Sequence, residues 1–150
     1  MESSLIIIDL DHTLIYSSYN KETGLEKLTQ FNEYLAIYKR PHVDKLIQQL
    51  QDIDTIVYSA AKKTYVHTIV DKLQIPALDI LHRHHCRKSA SSDVYQKWLR
   101  RKWVKQYERI FIIDDSPQLW SKQAHKIAHW FIPPKFMGDI QDNYLESVCL

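Results

Sequence analysis

Three apolar, β-branched runs in this chain each stop on a residue that can do chemistry. Leu5-Ile6-Ile7-Ile8 ends at Asp9, Thr55-Ile56-Val57-Tyr58 at Ser59, and Ile110-Phe111-Ile112-Ile113 at Asp114. Short continuous apolar runs of this kind read as strands buried on both faces, the environment of a parallel sheet. Parallel strands need crossovers, and the intervening stretches supply helical patterns. After Pro41, residues Val43, Leu46, Ile47 and Leu50 recur at helical spacing. A second helix is expected over 61–73, with Tyr65, Val66, Ile69, Val70 and Leu73 inward and Pro76 closing it. A third is expected from Asp93, where Asp93 and Gln96 could form a capping pair, carrying Val94, Lys97, Trp98 and Leu99.

Strands alternating with helices imply an α/β fold: a three-layer, Rossmann-like domain with a mostly parallel central sheet, helices on both faces and a minimal cap or none. The 150 residues suit one domain, and 16–38, the least regular part, reads as a short insertion containing a hairpin. A net charge of +2 argues neither for nucleic acid nor for a membrane surface. Cys86 and Cys149 cannot form a disulfide framework, so a reducing compartment is expected, the cytoplasm or, in a eukaryote, the nucleus. The first apolar run is too short for a signal-peptide core, and no run approaches a membrane span.

In an open parallel sheet, ligands collect outside the carboxyl ends of the strands. Asp9 and Asp11 follow the first run, and Asp114 and Asp115 the last, so four carboxylates are expected to converge there. Such a concentration of negative charge calls for a cation, and ligands that are all oxygen point to Mg²⁺. Asp9 could ligate the metal through one oxygen and attack phosphorus with the other. Asp11 could offer its carbonyl to the metal and its side chain to proton transfer. Thr13, grouped with Ser59 and Lys97 on the phosphate side of the site, is also placed to orient the loop after Asp9. Ser59, at a strand end leading into a helix, suits a phosphate oxygen, and Lys97 supplies a positive charge for the transition state.

Asp9-Leu10-Asp11-His12-Thr13 resembles the DxDxT motif of the haloacid dehalogenase superfamily. Its continuation Leu14-Ile15-Tyr16-Ser17-Ser18, then Lys39-Arg40-Pro41-His42-Val43-Asp44, Arg83 with His85-Cys86, Asp114-Asp115-Ser116-Pro117, and Ala128 with Trp130-Phe131 are similar to the small RNA polymerase II carboxy-terminal-domain phosphatases, the NLI-interacting-factor-like subgroup, and their bacterial relatives. Ser59 stands where that subgroup commonly has Thr, and Asp115 where it often has Asn. The resemblance implies an aspartyl-phosphate at Asp9, acid/base work by Asp11, phosphate contacts by Ser59 and Lys97, and Mg²⁺ held by Asp9, the Asp11 carbonyl and the Asp114-Asp115 pair. Either member of that pair could touch the metal directly, and Lys102 is the substitute for Lys97.

The leading functional reading is a Mg²⁺-dependent phosphomonoesterase acting on phosphoproteins at Ser or Thr. Its alternatives are a phosphatase for nucleotides, sugar phosphates or nucleic-acid ends, and a non-catalytic scaffold that binds phosphorylated partners. A scaffold would be favoured by a missing nucleophile or lysine, and both are present. A small cap leaves the site open, which suits a phosphorylated macromolecule, a protein ahead of nucleic acid, with no membrane partner. His82, His84, His85 and Cys86 look like a soft-metal cluster but lack a second ligand pair at a familiar distance, and read as a polar loop at the rim. Arg100-Arg101-Lys102-Trp103 with Lys105 reads as a solvated helix face with Trp103 packed inward, and Trp120, Trp130 and Phe131 as core.

Overall fold

The computed structural model describes residues 3–22 and 24–150. The strands β1 (Ser4–Ile8), β5 (Asp54–Tyr58), β6 (Asp79–Leu81), β9 (Arg109–Ile113) and β10 (His129–Phe131) form a five-stranded sheet in the order β10-β9-β1-β5-β6. Every pairing in it is parallel, with Ile8 opposite Val57 on one side and Ile113 on the other. The chain builds outward from β1 through β5 to β6, then returns across β1 to lay down β9 and β10. That reversal places the switch point at β1, and the crevice lies at its carboxyl end.

Alternation along β1 sorts its side chains onto two faces. Ile6 and Ile8 pack with the helices α1 (Val43–Gln49), α2 (Lys63–Leu73) and α5 (Tyr144–Ser147), while Leu5 and Ile7 pack with α3 (Arg101–Gln106) and α4 (Lys122–Ile127). Helices therefore cover both faces, as a sheet of such apolar strands requires. Each fully buried Leu or Ile contributes about 1.5–3 kcal/mol relative to exposure. The second helix begins two residues later than its pattern suggests and buries Val66, Ile69, Val70 and Leu73. It stops at Gln74, whose left-handed backbone (φ 58) ends the helix two residues ahead of Pro76. No described helix is long and apolar enough to cross a membrane.

Residues 16–38 hold more than a hairpin. The strands β2 (Ile15–Ser18), β3 (Lys27–Gln30) and β4 (Ala36–Lys39) form an antiparallel sheet with β4 in the centre. Ile15 and Ile37 are fully buried in the same cluster as Ile6 and Ile8, which fuses this sheet to the α1/α2 face. The polar stretch after Ser17 hides that pattern, because β2 and β3 are half-solvated strands.

The helix expected from Asp93 does not form. Residues 87–96 instead make a hairpin of β7 (Arg87–Lys88) and β8 (Tyr95–Gln96), with Arg87 opposite Gln96. The turn chemistry of Ser89, Ser91, Ser92 and Asp93 wins over helical spacing: Ser92 Oγ accepts the Val94 N–H, and the exposed Val94 provides no inward face. Helix α3 starts only after Arg100 and buries Trp103, leaving Arg101, Lys102 and Lys105 outside.

Candidate active site

Lys97 thus lies in an extended segment, fixed beside Trp120 by its N–H to Leu119 O (2.9 Å) and by its carbonyl accepting from Ser121 N–H (2.9 Å). Its ammonium reaches the carboxyl end of the sheet and donates to Asp9 Oδ1 at 3.0 Å and Asp114 Oδ2 at 2.8 Å. Only 4% of Lys97, 8% of Asp9 and 1% of Asp114 is exposed. Lys102 points instead to the surface near His84, Arg87 and Trp98, away from these carboxylates. The lysine named from the sequence is the one beside the acids, carried there by an isolated bridge to Trp120 and not by a helix.

The loop after Asp9 is a tight knot. The Leu10 carbonyl accepts from the N–H groups of Thr13, Leu14 and Ile15 at 3.1, 2.8 and 3.2 Å, and His12 takes a left-handed conformation (φ 63). Thr13 is fully buried behind the carboxylates and does not line the cavity, so the phosphate-side role expected for it gives way to an orienting one. Its hydroxyl has one proton to give, to Asp9 Oδ2 (3.0 Å) or Asp115 Oδ1 (2.9 Å), and accepts the Asp115 N–H (3.1 Å). Asp114 Oδ2 also accepts from Trp120 Nε1 at 2.8 Å, and its Oδ1 from Ser116 N–H at 2.9 Å.

Ligating oxygens of Asp9, Asp114 and Asp115 all lie within 4.8 Å of one another, and this is the acidic group of that kind among the described residues. The Asp11 carboxylate is not part of it. Its Oδ1 accepts from the Tyr65 hydroxyl at 2.6 Å, yet it lines the same cavity, so the four acids gather at this end of the sheet while three of them form the close group. Burial, then repulsion from Asp114, pushes the Asp9 carboxyl well above its ordinary range, against the pull of Lys97. Burial also raises Asp11, with the Tyr65 hydrogen bond opposing it. Asp114 is held low: burial would raise it, but the Lys97 ammonium and the Trp120 indole outweigh that. Lys97 is held charged far above its usual range, the two carboxylates overcoming desolvation. Three carboxyl groups face one ammonium, and an oxygen-only donor set fits a hard divalent cation such as Mg²⁺.

A cavity of about 170 Å³ opens above this cluster, lined among others by Asp11, Ser59, Tyr95, Ser116 and Lys135. Ser59 is buried at the end of β5; its N–H donates to Leu81 O (3.0 Å) and its hydroxyl oxygen accepts the Ala61 N–H (3.1 Å). Arg83, in a 3-10 turn with His84 and His85, donates from Nε to Ala60 O (2.9 Å) and stacks on Tyr95 with 4.8 Å between Cζ and the ring centroid. The histidine run itself does not line this cavity: His84, His85 and Cys86 face a separate surface hollow with Arg87 and Trp98, and His82 is buried.

Some supports of the site carry no sequence signal of their own. Trp120 is buried as expected, but its indole N–H holds Asp114; Trp130 and Phe131 are only half-buried. Tyr65 follows the inward helical pattern, yet its hydroxyl serves Asp11 and not the core. Arg40 is fully buried and pairs with both oxygens of Asp142 at 2.7 and 2.8 Å, while its remaining nitrogen donates to Thr13 O at 3.1 Å. It braces the loop after Asp9 from below.

A wholly parallel Rossmann-like sheet with Asp9, Lys97 and an acidic pair at its carboxyl end defines the haloacid dehalogenase type of domain. The family description "NLI interacting factor-like phosphatase" matches residues 4–150, and the chain belongs to that family. It is 25% identical over 142 residues to the human carboxy-terminal domain RNA polymerase II polypeptide A small phosphatase 1, covering 84% of this chain and 51% of that protein. It is 24% identical over 147 residues to Phosphatase Herzog of Drosophila melanogaster, covering 87% of this chain and 40% of that one. The chain thus spans about half the length, or less, of these curated relatives. The same fold is seen in the beryllium fluoride complex of the fission yeast RNA polymerase II CTD phosphatase Fcp1, with a TM-score of 0.60 and 17% identity, covering 97% of this chain and 45% of that one.

Proposed function

We propose that this protein is a Mg²⁺-dependent phosphomonoesterase that works through an aspartyl-phosphate on Asp9 and acts on phosphoserine or phosphothreonine in proteins. The observation that carries the reading is the buried cluster at the end of β1 and β9, where Lys97 joins Asp9 to Asp114 beneath an open cavity. Asp9, Asp114 or Asp115, and the Asp11 carbonyl would hold the metal. When bound, Mg²⁺ would offset the repulsion that pushes Asp9 toward protonation and help neutralise the phosphoryl oxygens.

The chain's own groups do the rest. The Asp9 carboxylate attacks phosphorus. Lys97 and the Ser59 hydroxyl face the phosphoryl oxygens. Asp11 gives a proton to the departing alcohol, then takes one from the water that cleaves the intermediate. Thr13 and Arg40 hold the loop that aims Asp9.

Size favours a macromolecular phosphate. Sites that enclose whole small ligands run roughly 300–1,000 Å³, whereas about 170 Å³ takes a phosphoryl group and leaves the rest of the substrate outside. Names of the relatives agree, since the human protein and Fcp1 are described as phosphatases of the RNA polymerase II carboxy-terminal domain. A reducing compartment, cytoplasm or nucleus, goes with this proposal.

The test is turnover of phosphopeptides, nucleotides, sugar phosphates and phosphorylated oligonucleotides with and without Mg²⁺. Phosphopeptides are expected to be the best substrates, and chelator should remove activity that added Mg²⁺ restores. Full activity in metal-free buffer would sink the proposed chemistry, and a nucleotide preferred over every phosphopeptide would sink the substrate class.

A further inference from the structure

Asp11 is reached from the added antiparallel sheet. Tyr65 stands on the first turn of α2, with its ring edge-on to Phe31 at 5.2 Å between centroids and 80° between planes. Its hydroxyl lies 2.6 Å from Asp11 Oδ1, the short distance expected when the acceptor is a carboxylate. Behind it, the Ser17 hydroxyl on β2 is in hydrogen-bond contact with the same phenol oxygen. A phenol has one proton, and that proton goes to the carboxylate, so Ser17 donates to Tyr65 and Tyr65 donates to Asp11.

We propose that Tyr65, backed by Ser17, is a positioning residue for Asp11: it caps Oδ1 and leaves Oδ2 as the oxygen that serves the ester in the cavity. The inference rests on the phosphatase reading above and adds to it a device for aiming the proton. In the first step a bond forms between an Asp9 oxygen and phosphorus while the ester P–O bond breaks. Its electron pair stays on the departing oxygen, which takes the proton from Asp11 Oδ2 and leaves as an alcohol. In the second step a water oxygen bonds to phosphorus, the Asp9–phosphorus bond breaks with its pair returning to Asp9, and one water proton passes to Asp11 Oδ2. Tyr65 keeps its own proton throughout.

An acid aimed by a neighbour matters in proportion to how badly the leaving group needs a proton. A serine alkoxide needs one, whereas 4-nitrophenolate departs readily without one. Replacing Tyr65 by Phe keeps the ring that packs on Phe31 and removes only the donor.

The experiment compares wild type and Tyr65→Phe in the full chain, with saturating Mg²⁺, on 4-nitrophenyl phosphate, phenyl phosphate and a phosphoserine peptide. We expect kcat/KM to fall about thirtyfold or more on the last two and about threefold or less on the first. In an Asp11→Asn background, adding Tyr65→Phe should cause no further loss on the phosphoserine peptide. Independently of turnover, the Tyr65 hydroxyl proton should give a downfield, slowly exchanging resonance that disappears in Asp11→Ala. An equal loss on all three esters, or losses that multiply in the double variant, would overturn the inference in favour of a packing role. A missing resonance would overturn the hydrogen bond on which it stands. If wild type turned over none of the esters, the phosphatase reading itself would fail and take this one with it, a pattern unlike either of the others.

Discussion

Lys97 and Lys39 are each caught between two acids, yet they do different work. Lys39, on β4, bonds Glu26 at 3.2 Å and Asp44 at 2.6 Å, and the acids' side chains are 71% and 69% exposed. Lys97 bonds Asp9 at 3.0 Å and Asp114 at 2.8 Å, and those side chains are 10% and 2% exposed. The distances barely differ. Exposed pairs are screened by water and salt and contribute about 0–1 kcal/mol, whereas a buried ammonium between buried carboxylates has no solvent to replace a lost partner. The end of the parallel sheet concentrates charge where water cannot dilute it, and the added sheet keeps its charges where they cost little and fix little.

That contrast can be broken first at Asp9. Asp9→Asn is nearly isosteric and should leave the melting temperature within a few degrees of wild type while turnover of an aryl phosphate falls below about a thousandth. Residual activity within tenfold of wild type would mean that another residue attacks phosphorus. The lysine comes next. Lys97→Ala should lower kcat/KM by about a hundredfold or more, as the loss of a transition-state charge partner in a shielded site does, while Lys102→Ala changes it little. A reversal of the two would move the basic helix α3 into the site.

Arg40 sharpens the comparison from the stability side. Arg40→Ala leaves Asp142 without its partner in a half-buried setting and removes the support of the Thr13 carbonyl. It should cost about 3–5 kcal/mol in urea unfolding, and a loss under about 1 kcal/mol would show that the guanidinium is not a brace. Lys39→Ala should do least, changing stability by less than about 1 kcal/mol and leaving aryl phosphate turnover unaltered. A larger loss would erase the distinction between the two lysines.

How far the sequence discloses this site follows from how each residue reaches it. Asp9, Ser59 and Asp114 sit at the ends of apolar runs, and a parallel sheet brings strand ends together whatever the loops do. Lys97 is recognisable by its place between motifs, but its element is not. A Ser-rich turn followed by alternating residues overrides the helical spacing of Val94, Trp98 and Leu99, and the side chain arrives by pairing with Trp120. Tyr65 looks like one more inward helical residue, because its bond to Asp11 spans 54 positions and depends on how α2 docks. The same holds for Arg40 and Asp142, 102 positions apart. The antiparallel sheet over 16–38 is masked by polar strands that expose one face, so only its central strand β4 carries a clear apolar signal.

The return of the chain across β1 also governs how the protein comes into being. Of the sheet's strands β1 is made first, yet it lies in the middle, and its partner β9 starts more than a hundred positions later. Lys97 must bridge 88 positions to meet Asp9. Until then Leu5, Ile6, Ile7 and Ile8 form an apolar ribbon with one unpaired edge, the sort of surface that invites wrong partners during slow, non-local folding. The last third of the chain is therefore needed to cover the edge left by the first strand. A product cut short before β9 would be left with a sticky nascent strand and no acidic pair opposite it, and should be a target for degradation.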